Sequence, residues 1–253
     1  MTEPVDEVRY ERRGAAALVT IDRQARRNAI DGKTADALVA ALESFEADDD
    51  ARVMVLTGAG EAFCAGADLT AIETLEPRAR RGEGPLGFTR RVATKPTIAA
   101  IDGWAVAGGL ELAVWCDLRV ASPRAKFGCL ERRFGVPLID GGTWRLPRIV
   151  GFGRAMDLVL TGRLVTAEEA LAMGLVTAVV DDPVAHALAV AEQLAGFPQE
   201  TMLSDRNSIY DGYGHTLEEG LAIEARYGSE VLLVGRAGAA RFAAGEGRGA
   251  EGV

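Results

Sequence analysis

Asp102-Gly103-Trp104-Ala105-Val106-Ala107-Gly108-Gly109-Leu110-Glu111-Leu112 puts two glycines at the head of a short, almost wholly apolar segment, Ala107–Trp115, that reads as a helix. The first backbone N–H groups of a helix have no intrahelical partner, and the positive end of the helix dipole lies there. Such a start suits an anion or an oxyanion. Glu111 is the anomaly in this segment. Its helical neighbours Ala107, Gly108, Val114 and Trp115 are apolar or small. An ionised carboxylate in that setting is costly unless water, a partner or a ligand meets it. The plain alternative is a glutamate on an exposed helix edge.

On either side of this stretch, Thr97–Asp102 and Leu118–Ala121 read as strands, as does the β-branched and apolar Arg52–Thr57. The chain opens with strands at Val8–Arg12 and Ala15–Asp22, turning at Gly14, and a polar loop Arg23–Ala29 with three arginines follows. Asp31 suits the N-cap of a helix whose apolar face is Ala35, Leu38, Val39, Leu42 and Phe45, closed by Asp48–Asp50. Gly58–Asp68 is a Gly-rich loop, and Leu75–Gly87, charged and rich in Arg, Gly and Pro, is expected to be mobile. Helices are expected at Gly141–Val150 and Arg154–Leu160, with a third capped by Thr166 in a capping box with Glu169. A strand at Val176–Val180 and a helix at Pro183–Leu194, with Pro at its start, come next. The last third is helical, and its Gly-rich tail from Gly245 is expected to fray. Strands alternating with helices make the fold class α/β.

Three further segments could carry chemistry. Phe63-Cys64-Ala65-Gly66-Ala67-Asp68-Leu69 follows a strand with small residues that let backbone approach a ligand closely; its plain reading is a tight turn capped by Asp68. Phe127-Gly128-Cys129-Leu130-Glu131 precedes Arg132, Arg133 and Gly135, and the plain reading of Glu131 is a surface ion pair with those arginines. Asp140-Gly141-Gly142-Thr143 reads plainly as an N-cap before a helix.

Composition narrows the function classes. The chain has 253 residues, 48% hydrophobic and 26% charged, as in an ordinary globular protein with a sizeable core. A net charge of −9 argues against a nucleic-acid partner, although a local basic cluster could still hold one small anion. The three cysteines, Cys64, Cys116 and Cys129, have no metal-ligand spacing and suit a reducing compartment. The polar start Met1–Arg13 is unlike a secretory signal, and no apolar run approaches the roughly 20 residues of a membrane helix. A cytoplasmic protein with no membrane partner is expected.

In order and spacing, these segments resemble the crotonase (enoyl-CoA hydratase/isomerase) superfamily. The matching stretches are Ile21–Ile30, Ala62–Leu69, Ile101–Ala121, Phe127–Leu146 and Thr166–Val180, so the resemblance covers most of residues 8–227. It implies a spiral core of repeated ββα turns over residues 1–195 and a C-terminal helical trimerisation region over 196–253, assembled as a homo-trimer or a hexamer. It implies an acyl-CoA substrate and reversible syn addition of water to a trans-2-enoyl-CoA. Double-bond isomerisation, or acyl-CoA binding without catalysis, are the alternatives. No metal and no cofactor are implied, coenzyme A being part of the substrate.

The resemblance also implies roles. Ala67 and Gly108 stand where the family's two oxyanion-hole N–H donors stand. Glu111 would help activate water and Glu131 would deliver a proton to the α-carbon. Arg26, Arg27, Asn28 and Ala29 fall in the loop that grips the adenine and phosphates of coenzyme A, with Ala65 and Asp68 beside the adenine. Three departures stand out. Gln24 replaces a frequent proline, Gly235–Arg248 lacks the usual lysine-containing ending, and Asp140 occupies a position usually held by a small residue. Some isomerases and a dehalogenase branch carry a functional Asp near that position. Asp140 is expected at the pocket edge in a mainly structural role.

Other enzyme classes fit less well. A dinucleotide fingerprint would begin at Gly58 and Gly60 after Val53, but its third glycine is Phe63. No G-x-S-x-G is present, and the only histidines are His186 and His215, so a Ser-His hydrolase has little to build on.

Overall fold

The structure, a computed structural model, describes residues 7–80 and 82–245. Antiparallel β1 (Val8–Arg13) and β2 (Ala16–Ile21) form the opening hairpin, and every residue of β2 is buried. Asp31 then caps α1 (Gly32–Ala47) by accepting the Thr34 N–H at 2.9 Å. The buried face of α1 is Ala35, Leu38, Ala41, Leu42 and Phe45. Ala41 belongs to that face and Val39 lies at its edge, because a 3.6-residue period carries position 39 round toward solvent.

The rest of the core repeats one unit. β3 (Val53–Gly58) is followed by β4 (Ala62–Cys64). β5 (Thr97–Ile101) is followed by β6 (Trp104–Val106) and α2 (Gly108–Trp115). β7 (Leu118–Ala121) is followed by β8 (Lys126–Gly128). The first strand of each pair joins a six-stranded sheet ordered β1, β2, β3, β5, β7 and β10 (Ala178–Val179). The second joins a four-stranded sheet ordered β4, β6, β8 and β9 (Val165–Thr166). Successive turns of the spiral therefore lay parallel strands side by side, with Ala62 against Trp104 and Trp104 against Lys126. All eight residues of α2 are buried, as a helix apolar on every side must be.

α3 (Gly142–Val150), α4 (Phe152–Thr161), α5 (Ala167–Ala172) and α6 (Pro183–Ala195) follow, then α7 (Gln199–Gly212), α8 (Leu217–Glu230) and α9 (Leu232–Ala244). The chain divides into two compact units, residues 1–192 and 193–253. In the second unit α7, α8 and α9 pack on one another.

Several expectations are corrected. The second sheet has no counterpart among the expected strands, because its members are two or three residues long, too short to display alternation. The strand expected at Val176–Val180 shrinks to Ala178–Val179. Thr166 accepts the Glu169 N–H at 3.2 Å, but the Glu169 carboxylate pairs with Arg163 at 2.5 Å, so the reciprocal half of that capping box is missing. A complete box forms instead at Thr216 and Glu219. Leu75–Gly87, expected to be mobile, buries Leu75, Arg78 and Leu86, and Arg78 pairs with Asp36 of α1; Arg81 lies outside the described residues. Gly245 closes α9 in a left-handed conformation, and the tail beyond it lies outside the described residues. No described helix is long and apolar enough to cross a membrane.

Candidate active site

The first unit contains a cavity of about 430 Å³ at the ends of β4 and β6. These strands are parallel neighbours, with Cys64 against Ala105, so the loops leaving them run side by side. On the first loop, the Ile30 N–H donates to Gly66 O at 2.8 Å and the Asp68 N–H donates to Ile30 O at 2.7 Å. Those two bonds pin Ala67 from both sides and leave its own N–H unused. On the second loop, Ala107 adopts φ 53°, ψ −128°, a conformation that costs a non-glycine residue on the order of 1–3 kcal/mol and concentrates at functional sites. The strained residue turns the chain into α2, so that Gly108 is the first helical residue and its N–H has no intrahelical acceptor. Among the described residues neither the Ala67 nor the Gly108 N–H donates to a protein acceptor. The loops nearly touch, since a Cβ added to Gly66 would lie 2.8 Å from the Gly108 nitrogen. Two adjacent unused donors at the head of a buried helix can hold an oxygen as it gains negative charge.

Four carboxylates line the same cavity, those of Glu76, Glu111, Glu131 and Asp140, and the last three are buried. Glu111 is 3% exposed, and its Oε1 accepts the N–H groups of Asp140 at 2.9 Å and Gly142 at 2.8 Å. Burial pushes its pKa up to about 8; the charges of Asp140 and Glu131 add to the rise, and the two N–H groups oppose it. Glu131 lies in a 3-10 turn, Leu130–Phe134, after β8, and is also buried. Neither of its carboxylate oxygens has a hydrogen-bond partner among the described residues, and burial raises its pKa. The plain reading of Glu131 as one half of a surface ion pair is therefore corrected. A buried carboxylate with no partner calls for an explanation, and a water or ligand in this cavity is the natural one.

Asp140 is 3% exposed and does not cap α3, whose cap position is Gly141. Its Oδ1 instead accepts the Leu86 N–H at 3.0 Å and the Thr89 hydroxyl. Leu86 lies in the charged stretch expected to be mobile and Thr89 just beyond it, and these two residues supply both donors.

The loop expected to grip coenzyme A is split by the structure. Arg26 and Arg27 are exposed. Asn28 is wholly buried: its Oδ1 accepts the Arg23 N–H at 2.9 Å, and its Nδ2 donates to Ala59 O at 2.9 Å and Ala62 O at 2.6 Å. Its side chain is thus spent on fastening the loop to β4. Asp68 is spent likewise, accepting Thr70 N at 3.0 Å, the Thr70 hydroxyl at 2.6 Å and Arg23 at 3.3 Å. Ala29 is buried, with its carbonyl held by Arg23. Ala65 lines the cavity and donates its N–H to Arg27 O at 3.1 Å. Arg23, which carried no separate signal in the sequence, is the knot here, pairing with Glu7, Asp31 and Asp68.

Asn28→Ala is expected to cost about 2–4 kcal/mol, because it strands buried donors and acceptors. It would also place Ala at φ 58°, where a β-carbon is disfavoured. Calorimetry would read this as a melting point lower by several degrees. An unchanged melting point would mean that the side chain does not hold the loop.

The described residues hold no group of three or more His, Cys, Asp or Glu arranged to bind a metal ion. A sequence model of the family described as Enoyl-CoA hydratase/isomerase matches residues 11–242. A probable enoyl-CoA hydratase of Rhizobium meliloti is 40% identical over 220 residues, 85% of this chain and 86% of that protein. A short-chain-enoyl-CoA hydratase of Clostridium acetobutylicum is 40% identical over 182 residues, 70% of each chain. Among solved structures, an enoyl-CoA hydratase of Mycobacterium marinum superposes with a TM-score of 0.88 at 35% identity, covering 94% of this chain and 95% of that one.

Proposed function

The chain belongs to the enoyl-CoA hydratase/isomerase family, and we propose that it is an enoyl-CoA hydratase, adding water reversibly to the 2,3-double bond of a trans-2-enoyl-CoA. The observation that carries this reading is the unpartnered, buried Glu131 carboxylate, in one cavity with Glu111 and the unused N–H groups of Ala67 and Gly108. The two N–H groups hold the thioester oxygen and stabilise the enolate that forms when water oxygen bonds C3. Glu111, fixed through one oxygen by two backbone donors, takes a proton from the water. Glu131 gives a proton to C2. Burial raises both pKa values, Glu111 to about 8, so the resting pair holds a proton on Glu111 near neutral pH; turnover needs that proton on Glu131, with Glu111 ionised, when water is attacked. Coenzyme A enters as part of the substrate, and no other cofactor takes part. The Asp140 carboxylate already accepts two hydrogen bonds, which favours hydration by the glutamate pair over an isomerisation run by a third carboxylate.

The test is to screen purified protein against trans-2-enoyl-CoA thioesters of increasing length, following loss of the conjugated enoyl-thioester absorbance. Turnover that yields 3-hydroxyacyl-CoA supports the reading, and binding without turnover on every member of the series contradicts it.

Arg26 and Arg27 remain the basic groups of the proposed coenzyme A grip. Arg26→Ala/Arg27→Ala is expected to weaken coenzyme A binding severalfold at low salt and to flatten its salt dependence, since exposed charge contacts are individually small and screened. Titration calorimetry at two ionic strengths checks this, and equal affinity at low salt would remove the arginines from the grip.

The proposal extends to a cytoplasmic homo-trimer or hexamer. Three buried, unpaired cysteines suit a reducing compartment. The helices of the second unit expose Leu217, Leu232, Leu233 and Phe242, apolar surface that other copies of the chain would cover.

A further inference from the structure

We propose that Asp140 is a positioning residue that sets the spacing between the donor pair and Glu111: its carboxylate seats Leu86 against Gly108, and its backbone N–H holds Glu111. This rests on the hydratase reading of the site. The turn 84–89 is wrapped around the Asp140 carboxylate. Its Oδ1 accepts the Leu86 N–H at 3.0 Å and the Thr89 hydroxyl. Gly84, at φ +97°, passes so close that a Cβ there would lie 3.0 Å from the same oxygen and 2.3 Å from the Thr89 hydroxyl oxygen. Only glycine accepts both that conformation and that approach. Arg145 closes the clamp from α3, donating to Asp140 O at 3.1 Å and to Thr89 O at 2.8 Å.

What the clamp delivers is Leu86. This side chain is buried and lines the cavity, and its Cδ1 lies 2.4 Å from where a Gly108 Cβ would stand. A leucine methyl therefore rests on Gly108, beside the donor N–H. On its other side Asp140 donates its own N–H to Glu111 Oε1 at 2.9 Å. One residue thus ties the wall of the oxyanion site to the carboxylate proposed to handle water. Catalytic groups tolerate little misplacement, and an error of about 1 Å can cost on the order of 10² in rate.

The rival role is proton transfer by Asp140 itself, and three variants separate the two. Asp140→Asn keeps an oxygen acceptor for Leu86 and Thr89 but cannot exchange a proton as a carboxylate does. Asp140→Ala removes the clamp. Thr89→Val cuts one tether and leaves the carboxylate in place. Two readouts are taken. One is kcat and KM for a short trans-2-enoyl-CoA. The other is the red shift of a bound dialkylaminocinnamoyl-CoA, whose absorbance reports polarisation of the thioester carbonyl. Positioning predicts that Asp140→Ala and Thr89→Val each lower kcat about 10- to 100-fold, with KM changed less and the red shift diminished. It also predicts that Asp140→Asn restores most of both. Asp140→Asn as inactive as Asp140→Ala, with Thr89→Val like wild type, would overturn the proposal in favour of proton transfer. Wild-type red shift and kcat in both Asp140→Ala and Thr89→Val would overturn it outright. If Asp140→Ala fails to fold, the Asn and Val variants still decide the question. Wild-type protein that gives the red shift but never hydrates would sink the hydratase reading alone, because the shift still reads Asp140.

Discussion

Glu131→Gln and Glu111→Gln are each expected to lower kcat for hydration by at least about 100-fold, with the Kd for a CoA thioester within a few-fold of wild type. For Glu131 the argument is direct. Its oxygens are buried and unpartnered, so the fold draws no hydrogen bond from them, and the amide would occupy nearly the same volume. Only a group that meets water or substrate is lost. For Glu111, Gln can still accept the Asp140 and Gly142 N–H groups through its oxygen, so the site keeps its shape and loses its base. Wild-type turnover in either variant would remove that residue from the chemistry.

The Glu111 variant has a signature in stability as well. In the folded protein Glu111 titrates near 8, against an ordinary value of 4.5. Between those pH values the folded state holds a proton that the unfolded chain has released. Stability contributed by this group therefore falls as pH rises through the window and is lost once pH exceeds the folded value. Glu111→Gln cannot ionise. Its melting point should exceed that of wild type at pH 8 and depend less on pH between 5 and 8. A wild-type melting point that rises across that range and is unaffected by the substitution would contradict a buried, protonated Glu111.

Gly66→Ala is expected to lower kcat by about 10²–10³, the usual cost of losing one oxyanion donor. Gly66 sits at φ +94°, and a methyl there would lie 2.8 Å from the Gly108 nitrogen and 3.0 Å from the Ala107 Cβ. The nitrogen and its peptide are fixed by the turn into α2, so the two loops must separate and the donors part with them. The effect should fall on kcat and on thioester polarisation, while circular dichroism shows the helices intact. A folded Gly66→Ala protein with full activity would mean that the two amides do not act as a pair.

These residues differ in how far the sequence reveals them, for physical reasons. Asp31 and the face of α1 are local features, set by capping chemistry and a 3.6-residue period, and they read correctly except that Ala41, not Val39, belongs to the face. Glu111 stands out because a carboxylate among apolar neighbours is anomalous wherever the helix packs. Glu131 gives no such signal on its own, since Arg132 and Arg133 beside it offer a plain surface pairing; its burial depends on how β8 meets the rest of the spiral. Asn28 lies in the arginine-rich loop and Asp68 at the end of the Gly-rich one, as expected, but their side chains are turned inward by bonds to Ala59, Ala62 and Thr70 and by their links to Arg23. The clamp at Asp140 joins residues 54 positions apart, through a stretch whose polarity read as mobile. Short strands such as β4 and β6 carry no periodicity to read, yet their pairing is what brings Ala67 and Gly108 together.

The central claim is that water is added at C3 in the cavity shared by Glu111 and Glu131. Incubating the protein with a short trans-2-enoyl-CoA in ¹⁸O-water and weighing the product by mass spectrometry tests it most directly. Hydration predicts a 3-hydroxyacyl-CoA carrying one ¹⁸O at C3, formed by wild type and suppressed in Glu131→Gln. A 3-enoyl-CoA without added oxygen, or an unchanged thioester, would contradict it.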